Sequence, residues 1–547
     1  MKMHCLFSRH SVVIAVVLMI GLSLSAMTAN AQTQQTTGSR ERLIPPASDT
    51  PTTWPLFLNE AGELQRISLD ELLARTLDQN LDIRVERFNE AIARDGVEGA
   101  RGIYDPALTA SFNWSDTTSQ STIDPTSGFT STATQVDNKS GSLGAQQLLS
   151  TGGVLGFGTT SSRNELVNAL TGTGFNPMLS TVYSREYSIF VRQPLLNGFG
   201  SKITNSGIAL AQKQHAIANE RFRSQVQRQV ADAMRLYWEL VYAISIAQVQ
   251  ETALTQANGL LRNNQIRLEY GAGSSLDVSN TEATVADRRG FLINAKASIH
   301  TVQDQVKKLM GLQGDQAAWA ANLAPIDQPQ LMNYPLDLEK FINETMANNP
   351  DWRQLQLGQE VLEINERVAK NMKRPRLDLF SSYAWTGAAG SHSAADDSAR
   401  GDDYDTKVVG IEFSYPLWNR AAKFAHRQSQ KMVEQNDVSL TNLQDLLIQQ
   451  VRGATRDIQT ARDLTESNAV AVSSQVKKLA GENDRFEAGS ATPQDILRYQ
   501  TDLANARTNY LRSIINYQQA IITLELTKGT LLETLGIKIE QVSPIDY

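Results

Sequence analysis

Cysteine is nearly absent from the chain: Cys5 is the only one among 547 residues. It lies in an N-terminal segment where Lys2 and Arg9 precede an apolar run, residues 12–24, that is followed by a small-x-small cleavage site. This pattern predicts a secretory signal peptide over residues 1–31, and the run is shorter than the about 20 apolar residues of the alternative, a membrane anchor. The mature chain would then lack cysteine, which excludes disulfides, thiol catalysis and thiolate metal sites.

Long hydrophobic runs and an excess of positive charge are missing from the rest of the chain. Since a membrane-spanning helix needs about 20 apolar residues, we predict none after the signal, and entry into a bilayer would require a closed β-barrel. The formal net charge is −7, and it becomes −9 without the signal, which carries two basic residues and no acidic one. We therefore expect no nucleic-acid partner.

Catalytic and metal-binding motifs are missing as well. Four histidines follow the signal, and their scattered positions lack metal-ligand spacing: His215, His300, His392 and His426. The glycine-rich segment 152–158 is followed by Thr159 and Thr160 instead of a helix start, so it does not predict a phosphate cradle. We predict no enzymatic activity, no cofactor and no metal ion.

The sequence does contain an internal duplication. Three pairs of segments correspond in order: 69–108 with 338–377, 192–200 with 414–422, and 267–278 with 485–496. The offsets between them are 269, 222 and 218, so the first half holds 47 additional residues between Pro106 and Pro194. Each half predicts a helix, strands, a long helix, a tight turn and a return helix.

Apolar and polar residues alternate in the strand region of each half. Leu108, Phe112 and Trp114 share one face of a predicted strand, and Thr109 and Ser111 share the other. Period-2 patterning with aromatic residues near the strand ends is typical of a membrane barrel, with apolar side chains toward lipid. An ordinary half-buried sheet gives the same pattern, so the strands alone do not decide between the two.

The first strand region predicts two further strands, 141–150 and 154–163. Segments 115–140 and 164–181 are rich in Ser, Thr, Gly and Asn and are predicted to be solvent loops. In the second half, the predicted loop 386–407 carries five aspartates: Asp396, Asp397, Asp402, Asp403 and Asp405. Their spacing differs from that of an EF-hand, so a solvated acidic loop is favoured over a calcium site.

Two very long helical hairpins follow the strand regions. No proline interrupts residues 198–269 or 421–485. Apolar residues repeat there at 4-3-4-3 spacing, the pattern of a coiled-coil seam: Val230, Met234, Tyr237, Val241 and Ile244, with Ala454, Ile458 and Ala461, and with Tyr510, Ile514, Tyr517, Ile521 and Leu524. Some 70 helical residues reach roughly 100 Å, against about a dozen residues in ordinary helices. Such lengths favour the membrane-barrel interpretation of the strands, in a protein built to cross a wide space.

The ordered set of motifs resembles the TolC-like outer-membrane efflux and secretion channels. The residues that carry the resemblance are two strand-to-helix steps and two turns: Pro194 with Asn197, Pro416 with Asn419, Gly271 to Val278, and Gly489 to Ile496. The resemblance covers about residues 69–535. It implies a homotrimer in which each subunit gives four strands to one 12-stranded barrel, continued by a helical tunnel through the periplasm.

The fold that we expect is mixed α and transmembrane β, internally duplicated: a trimeric shared β-barrel with about four strands per subunit, continued by a long α-helical coiled-coil periplasmic barrel. The expected boundaries are a signal peptide 1–31, an extended segment 32–67, a first repeat 68–310 (strands 106–196, hairpin 198–310), a linker 311–337, a second repeat 338–535 (strands 375–417, hairpin 421–535) and a tail 536–547. The 47 additional residues leave open whether the first repeat adds barrel strands or an external hairpin.

The resemblance predicts the function of the chain. It implies an outer membrane channel subunit of a tripartite efflux or type I secretion system, extending into the periplasm and conducting substrates passively. The implied partners are two further copies of the chain, outer membrane lipid, a periplasmic adaptor protein and an inner-membrane transporter. The alternative is a periplasmic coiled-coil adaptor, which would not need aromatic-edged alternating strands at the same point in both halves.

The resemblance also assigns functions to the two hairpin tips. The adaptor is expected to dock on the tip residues Gly271, Gly273, Ser274, Gly489, Ser490 and Thr492. Asp495 matches an acidic ring that narrows the periplasmic entrance, and Asp277 is its partner in the first tip. Arg498 stands where the family often has a second acidic residue, and Ala491 where its best-known member has a basic latch residue. A double acidic ring is therefore not expected, and the latch that holds the closed state must differ from that of the best-known member.

The same residues have a structural interpretation. Thr492 and Asp495 have the spacing of a helix cap with Pro493 at the first helical position, and Ser275 with Asp277 can cap the other return helix. The two tip glycines are most simply helix C-caps. For both aspartates, capping alone and capping combined with gating remain alternatives.

Overall fold

The computed structural model describes residues 64–120, 133–169, 179–312, 314–401 and 404–538, which all belong to one compact unit, residues 49–547. The predicted signal peptide lies outside these ranges, as does most of the predicted C-terminal tail. Within the described residues, no helix is both long and apolar enough to cross a membrane.

The elements follow the duplicated order. The first half comprises β1 (Leu64–Ile67), α1 (Leu69–Gln79), α2 (Leu81–Arg101), β2 (Ala107–Ser119), β3 (Ala133–Leu148), β4 (Val154–Ala169), β5 (Leu179–Pro194), α3 (Ser201–Thr204), α4 (Ser206–Glu269) and α5 (Ser275–Leu309). The connection holds α6 (Gln316–Ala320) and β6 (Asn322–Pro325). The second half comprises α7 (Leu338–Asn348), α8 (Pro350–Met372), β7 (Arg376–Ala389), α9 (His392–Arg400), β8 (Asp405–Ser414), α10 (Arg420–Glu487), α11 (Pro493–Lys528) and α12 (Leu531–Thr534).

Six strands of the described chain form one antiparallel sheet, in the order β2-β3-β4-β5-β7-β8. The first half therefore supplies four strands and the second half two, where the family resemblance implied four in total. Much of the segments predicted to be loops, 115–140 and 164–181, is strand instead. Ser, Thr, Gly and Asn suit a solvent loop, but they equally suit the water-facing side of a barrel strand, and this ambiguity explains the error.

The two faces of the sheet differ in polarity. Directly opposed residues of an antiparallel ladder share a face. One such row across five strands is mostly apolar: Leu108, Ala145, Phe157, Ile189 and Tyr383. The next row is made of small residues, two of which carry a hydroxyl group: Thr109, Gly144, Gly158, Ser188 and Ala384. The sheet thus has a lipid-compatible face and a water-compatible face, as a membrane barrel requires.

The segment predicted to be an acidic loop, 386–407, contains helix α9, so this prediction was wrong. Ala395 and Ala399 are buried against the sheet, where a Cβ atom on Gly387 would lie only 2.3 Å from the carbonyl oxygen of Ala395. Asp396 is paired with Arg185 at 3.5 Å and with Arg400 of the same helix at 2.9 Å. Small residues spaced by four let the helix lie close on the strands, and within the described ranges no acidic or histidine cluster could hold a metal ion.

The long helices carry the core. Helix α4 has 64 residues, which corresponds to about 96 Å, and α10 has 68. The predicted seam of α4 is confirmed, because Val230, Tyr237, Val241 and Ile244 are all buried. Helix α11 packs against both α10 and α4, so it joins the two hairpins within one subunit.

A short parallel pair of strands crosses the middle of α4. Strand β1 pairs with β6, from Leu64 opposite Asn322 to Ile67 opposite Pro325. The hydroxyl of Tyr237 donates to Asp327 at 2.7 Å, and burial together with this carboxylate raises the pKa of Tyr237 well above its usual range. This arrangement ties the connection between the halves to the centre of the first long helix.

Candidate functional site

The tip of the first hairpin is a tight turn closed by Gly271. This glycine has φ 71°, in the left-handed region, and its N–H donates to the carbonyl of Leu268 at 3.0 Å. The N–H of Ala272 donates to the carbonyl of Arg267 at 2.8 Å. The two bonds form a Schellman motif, which satisfies the last carbonyls of α4 and reverses the chain.

The tip of the second hairpin has the same geometry. Gly489 has φ 74°, its N–H donates to Phe486 at 3.1 Å, and the N–H of Ser490 donates to Arg485 at 2.8 Å. Among the described residues, no atom lies within 4 Å of a Cβ atom added to Gly271 or Gly489. Backbone conformation, and not crowding, is therefore what calls for glycine at both tips.

The second return helix begins with a capping box. The Asp495 N–H donates to the Thr492 hydroxyl oxygen at 3.3 Å, and the Thr492 N–H donates to the Asp495 carboxylate at 3.2 Å. The Thr492 hydroxyl also donates to this carboxylate at 2.6 Å. These bonds to Thr492 lower the pKa of Asp495, and the nearby Arg498 and Arg485 guanidinium groups add to the effect. Asp495 is only partly buried while it performs the capping role.

The first return helix is capped one residue earlier than the sequence indicated. The hydroxyl of Ser274, and not that of Ser275, accepts the N–H of Leu276 at 3.1 Å. Asp277 lies in the first turn, where a carboxylate is favoured by the helix dipole. Gly273 is more crowded than the other tip glycines, since a Cβ there would lie 3.0 Å from the backbone nitrogen of Leu268.

The two hairpin tips pack against each other within one subunit. Leu260 of α4 forms a buried cluster with Ile496 and Leu497 of α11. The guanidinium of Arg267 lies 5.0 Å from the ring centre of Phe486. Both tips of a subunit therefore belong to one surface, which joins the separate sequence predictions for Gly271 and Gly489.

A buried arginine, Arg288, joins the two hairpins further along the return helices and was missed in the sequence. Its guanidinium donates to the hydroxyl of Thr501 at 2.5 Å, and burial lowers its pKa. The signal was present, because the buried residues of α5 keep a 4-3 spacing from Thr281 through Val285 to Arg288. A heptad analysis of the return helix would have placed a charged residue at a core position.

The two strand-to-helix junctions are less alike than the tips. After Pro416, Asn419 is buried, adopts φ 44°, and donates through its side-chain amide to the carbonyl of Lys373 at 3.0 Å. After Pro194 and Asn197, it is Gly198 that takes positive φ, 81°, and its N–H donates to the side chain of Asn371 at 2.7 Å. The sequence motif aligned the two asparagines, but only the second one takes this conformation.

Comparison with known proteins places these features in a family. The sequence model described as "Outer membrane efflux protein" matches residues 145–312 and 341–530, which together exceed half of the chain. The outer membrane efflux protein BepC of Brucella suis is 22% identical over 363 residues, covering 66% of this chain and 75% of that protein. The outer membrane protein TolC of Escherichia coli is 22% identical over 331 residues, covering 58% of this chain and 66% of that protein.

Solved structures agree on the fold. The CmeC outer membrane channel of Campylobacter jejuni superposes with a TM-score of 0.61 at 13% identity, covering 93% of this chain and 94% of that one. The two matched segments of the family model fall in the two halves of the duplicated chain. The chain belongs to the outer membrane efflux protein family.

Proposed function

We propose that three copies of the chain form an outer-membrane channel whose two hairpin tips per subunit dock a periplasmic adaptor and narrow the entrance. Cargo would arrive from an inner-membrane transporter and pass through without energy input in the channel itself. The observation that carries the proposal is the repeated tip: two Schellman turns and two capped return helices on one exposed surface. The long helices also pack far from the tips, where Val241 of α4 and Ile299 of α5 belong to one buried cluster.

The unpartnered helix faces support a ring of copies. Across the subunit the long helices pack in the order α5, α4, α11, α10, so α5 and α10 are the two outer helices. Helix α2 also exposes large apolar side chains at 4-3-4 spacing: Leu81, Val85, Phe88 and Ile92. Helix α10 exposes Phe424, Val438, Leu464 and Val470. Exposed apolar side chains of this kind, on α2 at one side of a subunit and on α10 at the other, favour contact with further copies.

The sheet points to the same arrangement. Among the described strands, β2 and β8 each have one edge without a partner strand. Strand β2 follows α2, and β8 leads into α10, so the open strand edges lie on the same two sides as the open helix faces. A head-to-tail contact between these two different sides closes into a ring, and ring closure removes the exposed edges.

The entrance role of Asp495 is tested by separating its charge from its capping bonds. Asp495→Asn keeps an acceptor for the Thr492 N–H but removes the charge, whereas Asp495→Ala removes both. We expect a trivalent hexammine cation to block single channels in planar bilayers less strongly in both variants. Asp457→Asn, an exposed position in the middle of α10, is the matched control and should leave the block unchanged. Block that is lost only in Asp495→Ala, or in neither variant, would leave Asp495 with its capping role alone.

The docking role of the tips needs variants that leave the turn intact. Gly271→Asn and Gly489→Asn are suitable, because asparagine tolerates the left-handed conformation and the added side chain meets open space. A photoreactive residue at Ser490 in living cells should cross-link to a periplasmic adaptor identified by mass spectrometry, and Gly489→Asn should weaken that product. The same residue at Asp457 serves as the control. Cross-links from position 490 only to other copies of the channel would contradict tip docking.

A further inference from the structure

The hairpin formed by β3 and β4 lies inside the sheet and not beside it. Strand β3 pairs with β2 along its length, from Gln146 opposite Ala107 to Thr134 opposite Ser119. Strand β4 pairs with β5, from Val154 opposite Arg192 to Val167 opposite Leu179. A hairpin that is hydrogen-bonded on both sides is a continuous part of the wall, because its removal would break the sheet in two.

The part of the hairpin near its turn carries the two-faced pattern of its neighbours, whereas farther from the turn the same face carries charged residues: Asp137, Lys139, Arg163 and Glu165. Leu143 and Ala145 of β3, with Leu155 and Phe157 of β4, belong to the apolar face. The other face is mostly made of small residues: Ser142, Gly144, Gly156 and Gly158, followed farther from the turn by Ser140, Thr160 and Ser162. An external hairpin above the membrane would have no reason to keep one apolar face in register with the other strands.

The turn of the hairpin is fitted to the first strand-to-helix junction. The Gly200 N–H donates to the carbonyl of Thr151 at 3.0 Å, and a Cβ atom on Gly152 would lie 2.4 Å from the carbonyl oxygen of Gly198. The second junction carries Arg420 and Ala422 where the first carries Gly198 and Gly200. Gly198 and Gly200 both have positive φ, 81° and 100°, and a Cβ atom added to Gly200 would meet open space, so backbone conformation calls for glycine there, whereas crowding calls for it at Gly152.

The register shows how copies would close. The row of opposed residues that starts at Leu108, near the lower end of β2, passes through the sheet and ends at Lys407, near the upper end of β8. Matching the prolines that flank the two edge strands, Pro106 and Pro416, would place Phe413 of one copy opposite Leu108 of the next, on the same face. The sheet is thus offset by six residues per copy. Three copies would give a total offset of eighteen residues in a barrel of eighteen strands, and this ratio of one corresponds to a strand tilt of about 36°, within the usual barrel range.

We propose that the barrel of this protein has eighteen strands, six from each of three copies, where the family pattern has twelve. This inference rests on the three-copy ring proposed above. Since barrel diameter grows roughly linearly with strand number, the outer-membrane end is about 1.5 times as wide as a 12-stranded barrel, and it encloses an aqueous channel. The widening is confined to the strands, because β3 joins β4 through residues 149–153 without a helix. At the seam, Thr109 of one copy lies opposite Glu412 of the next.

Single cysteines test whether the hairpin is part of the wall, and the mature chain offers no competing thiol because Cys5 lies in the predicted signal. Ser142→Cys should react with a membrane-impermeant maleimide, and the adjacent Leu143→Cys should react only with a lipid-soluble one. Ser111→Cys and Phe112→Cys in β2 are the reference pair. Equal reaction of both hairpin cysteines with the impermeant reagent, with the reference pair still distinguished, would overturn the eighteen-strand barrel. Failure of the reference pair itself would count against the channel.

A pair of double variants tests the seam. Thr109→Cys with Glu412→Cys should form disulfides between copies and give a three-chain ladder on a denaturing gel. Thr109→Cys with Thr406→Cys should not, although these two positions end the same row within one subunit. Cross-linking of the second pair and not the first would contradict the six-residue offset.

Removal of the hairpin formed by β3 and β4 tests the width of the barrel. Deletion of residues 121–178 would join β2 to β5, which also run in opposite directions, and would leave four strands per copy. We expect a trimer whose extracellular side admits only smaller polyethylene glycols than the full-length channel does. An unchanged polymer cut-off in an assembled trimer would overturn the proposal, and the cysteine labels decide if the deleted chain does not assemble.

Discussion

Asn80 and Asn349 make the same pair of contacts in the two halves. The side-chain oxygen of each caps the following helix, and the side-chain amide donates to the end of a return helix: Asn80 to the carbonyl of Leu309 at 3.1 Å, and Asn349 to that of Thr527 at 2.9 Å. Each asparagine therefore fastens the helix above to the base of a long hairpin. This duplicated clamp holds the strand-bearing part of each half on its helical part.

Replacement of Asn349 should separate the two contacts of the clamp. Asn349→Asp keeps the capping oxygen and loses the donor to Thr527, whereas Asn349→Ala loses both. We expect losses of about 1 kcal/mol for the aspartate variant and about 2 kcal/mol for the alanine variant. Thermal unfolding of the detergent-solubilised protein, followed by circular dichroism, should give midpoints in the order wild type, Asp, Ala. Equal midpoints for all three would show that the clamp contributes nothing to stability.

Two glycines with the same backbone conformation should differ in their tolerance of a methyl group. Gly489 and Gly529 both have φ 74°, but a Cβ atom on Gly529 would lie 2.4 Å from the carbonyl oxygen of Asn348. Gly489→Ala should destabilise only the tip, by the about 1–2 kcal/mol that a residue with a Cβ atom loses in the left-handed conformation. Gly529→Ala should cost more and lower the global unfolding midpoint. A larger effect at Gly489 would contradict this assignment.

The capping box should make the second tip sensitive to acid. The pKa of Asp495 is lowered by its bonds to Thr492 from an ordinary value of 3.8. A carboxyl with a depressed folded pKa stabilises the fold above its unfolded value, and the contribution disappears as the pH falls through the folded one. Hydrogen exchange of residues 493–498, corrected for intrinsic rates, should show protection lost below about pH 3.8. The same pH profile in Asp495→Asn would show that Asp495 is not responsible.

A buried carboxylate, Glu525, should be a second acid-sensitive point. Burial alone would raise its pKa, but hydrogen bonds from Thr530 and Tyr334 and the charge of Lys528 lower it overall. Its oxygens accept from Thr530 at 2.6 Å and from Lys528 at 3.1 Å. Its contribution is therefore present above the unfolded pKa and is lost on acidification.

Glu525→Gln should cost about 1–3 kcal/mol at neutral pH, because it leaves the buried Lys528 with less compensation. Urea unfolding at pH 7 and at pH 4 measures the effect, and the difference between variant and wild type should shrink at the lower pH. Thr534→Ala, which removes a single hydroxyl donor at 3.0 Å, is a milder control. A difference that grows at pH 4 would contradict the sign of this argument.

Much of the helical architecture could be predicted from periodicity. The heptad residues Val230, Tyr237 and Ile244 are buried in α4, and Val451, Ala454 and Ile458 are buried in α10. Such stripes are visible in a sequence because a long helix must keep one face toward its partner over many turns. The duplication was visible in three pairs of corresponding segments, and the resemblance to outer-membrane channels in the strand-to-helix steps and the hairpin turns.

The strands were harder to predict because one of their faces is in contact with water, and the residues that suit such a face are also typical of loops. Strand β3 alternates Leu143 with Ser142 and Gly144, and serine and glycine in that context also mark loops. Helix α9 was missed because its nine residues carry two aspartates and only small apolar side chains. The capping residue of α5 was misplaced from Ser274 to Ser275, since both are serines and only the backbone geometry separates them.

The hydrogen-bond partners of residues at the junctions and in the return helices could not be predicted from the sequence. The side chain of Asn371 accepts a hydrogen bond from the Gly198 N–H, 173 residues away in the chain. The hydroxyl of Thr501 accepts one from the Arg288 guanidinium, 213 residues away. Contacts at such separations depend on how helices are stacked, which no local pattern encodes. The gating and docking roles of the tip residues stay predictions until the variants above are measured.

The most direct test of the account is planar-bilayer recording from detergent-purified protein. We expect discrete conductance steps of uniform size, from particles that contain three chains, because a single copy leaves strand edges and helix faces open and cannot enclose a pore. A protein that purifies as a water-soluble monomer and adds no conductance to the bilayer would contradict the account.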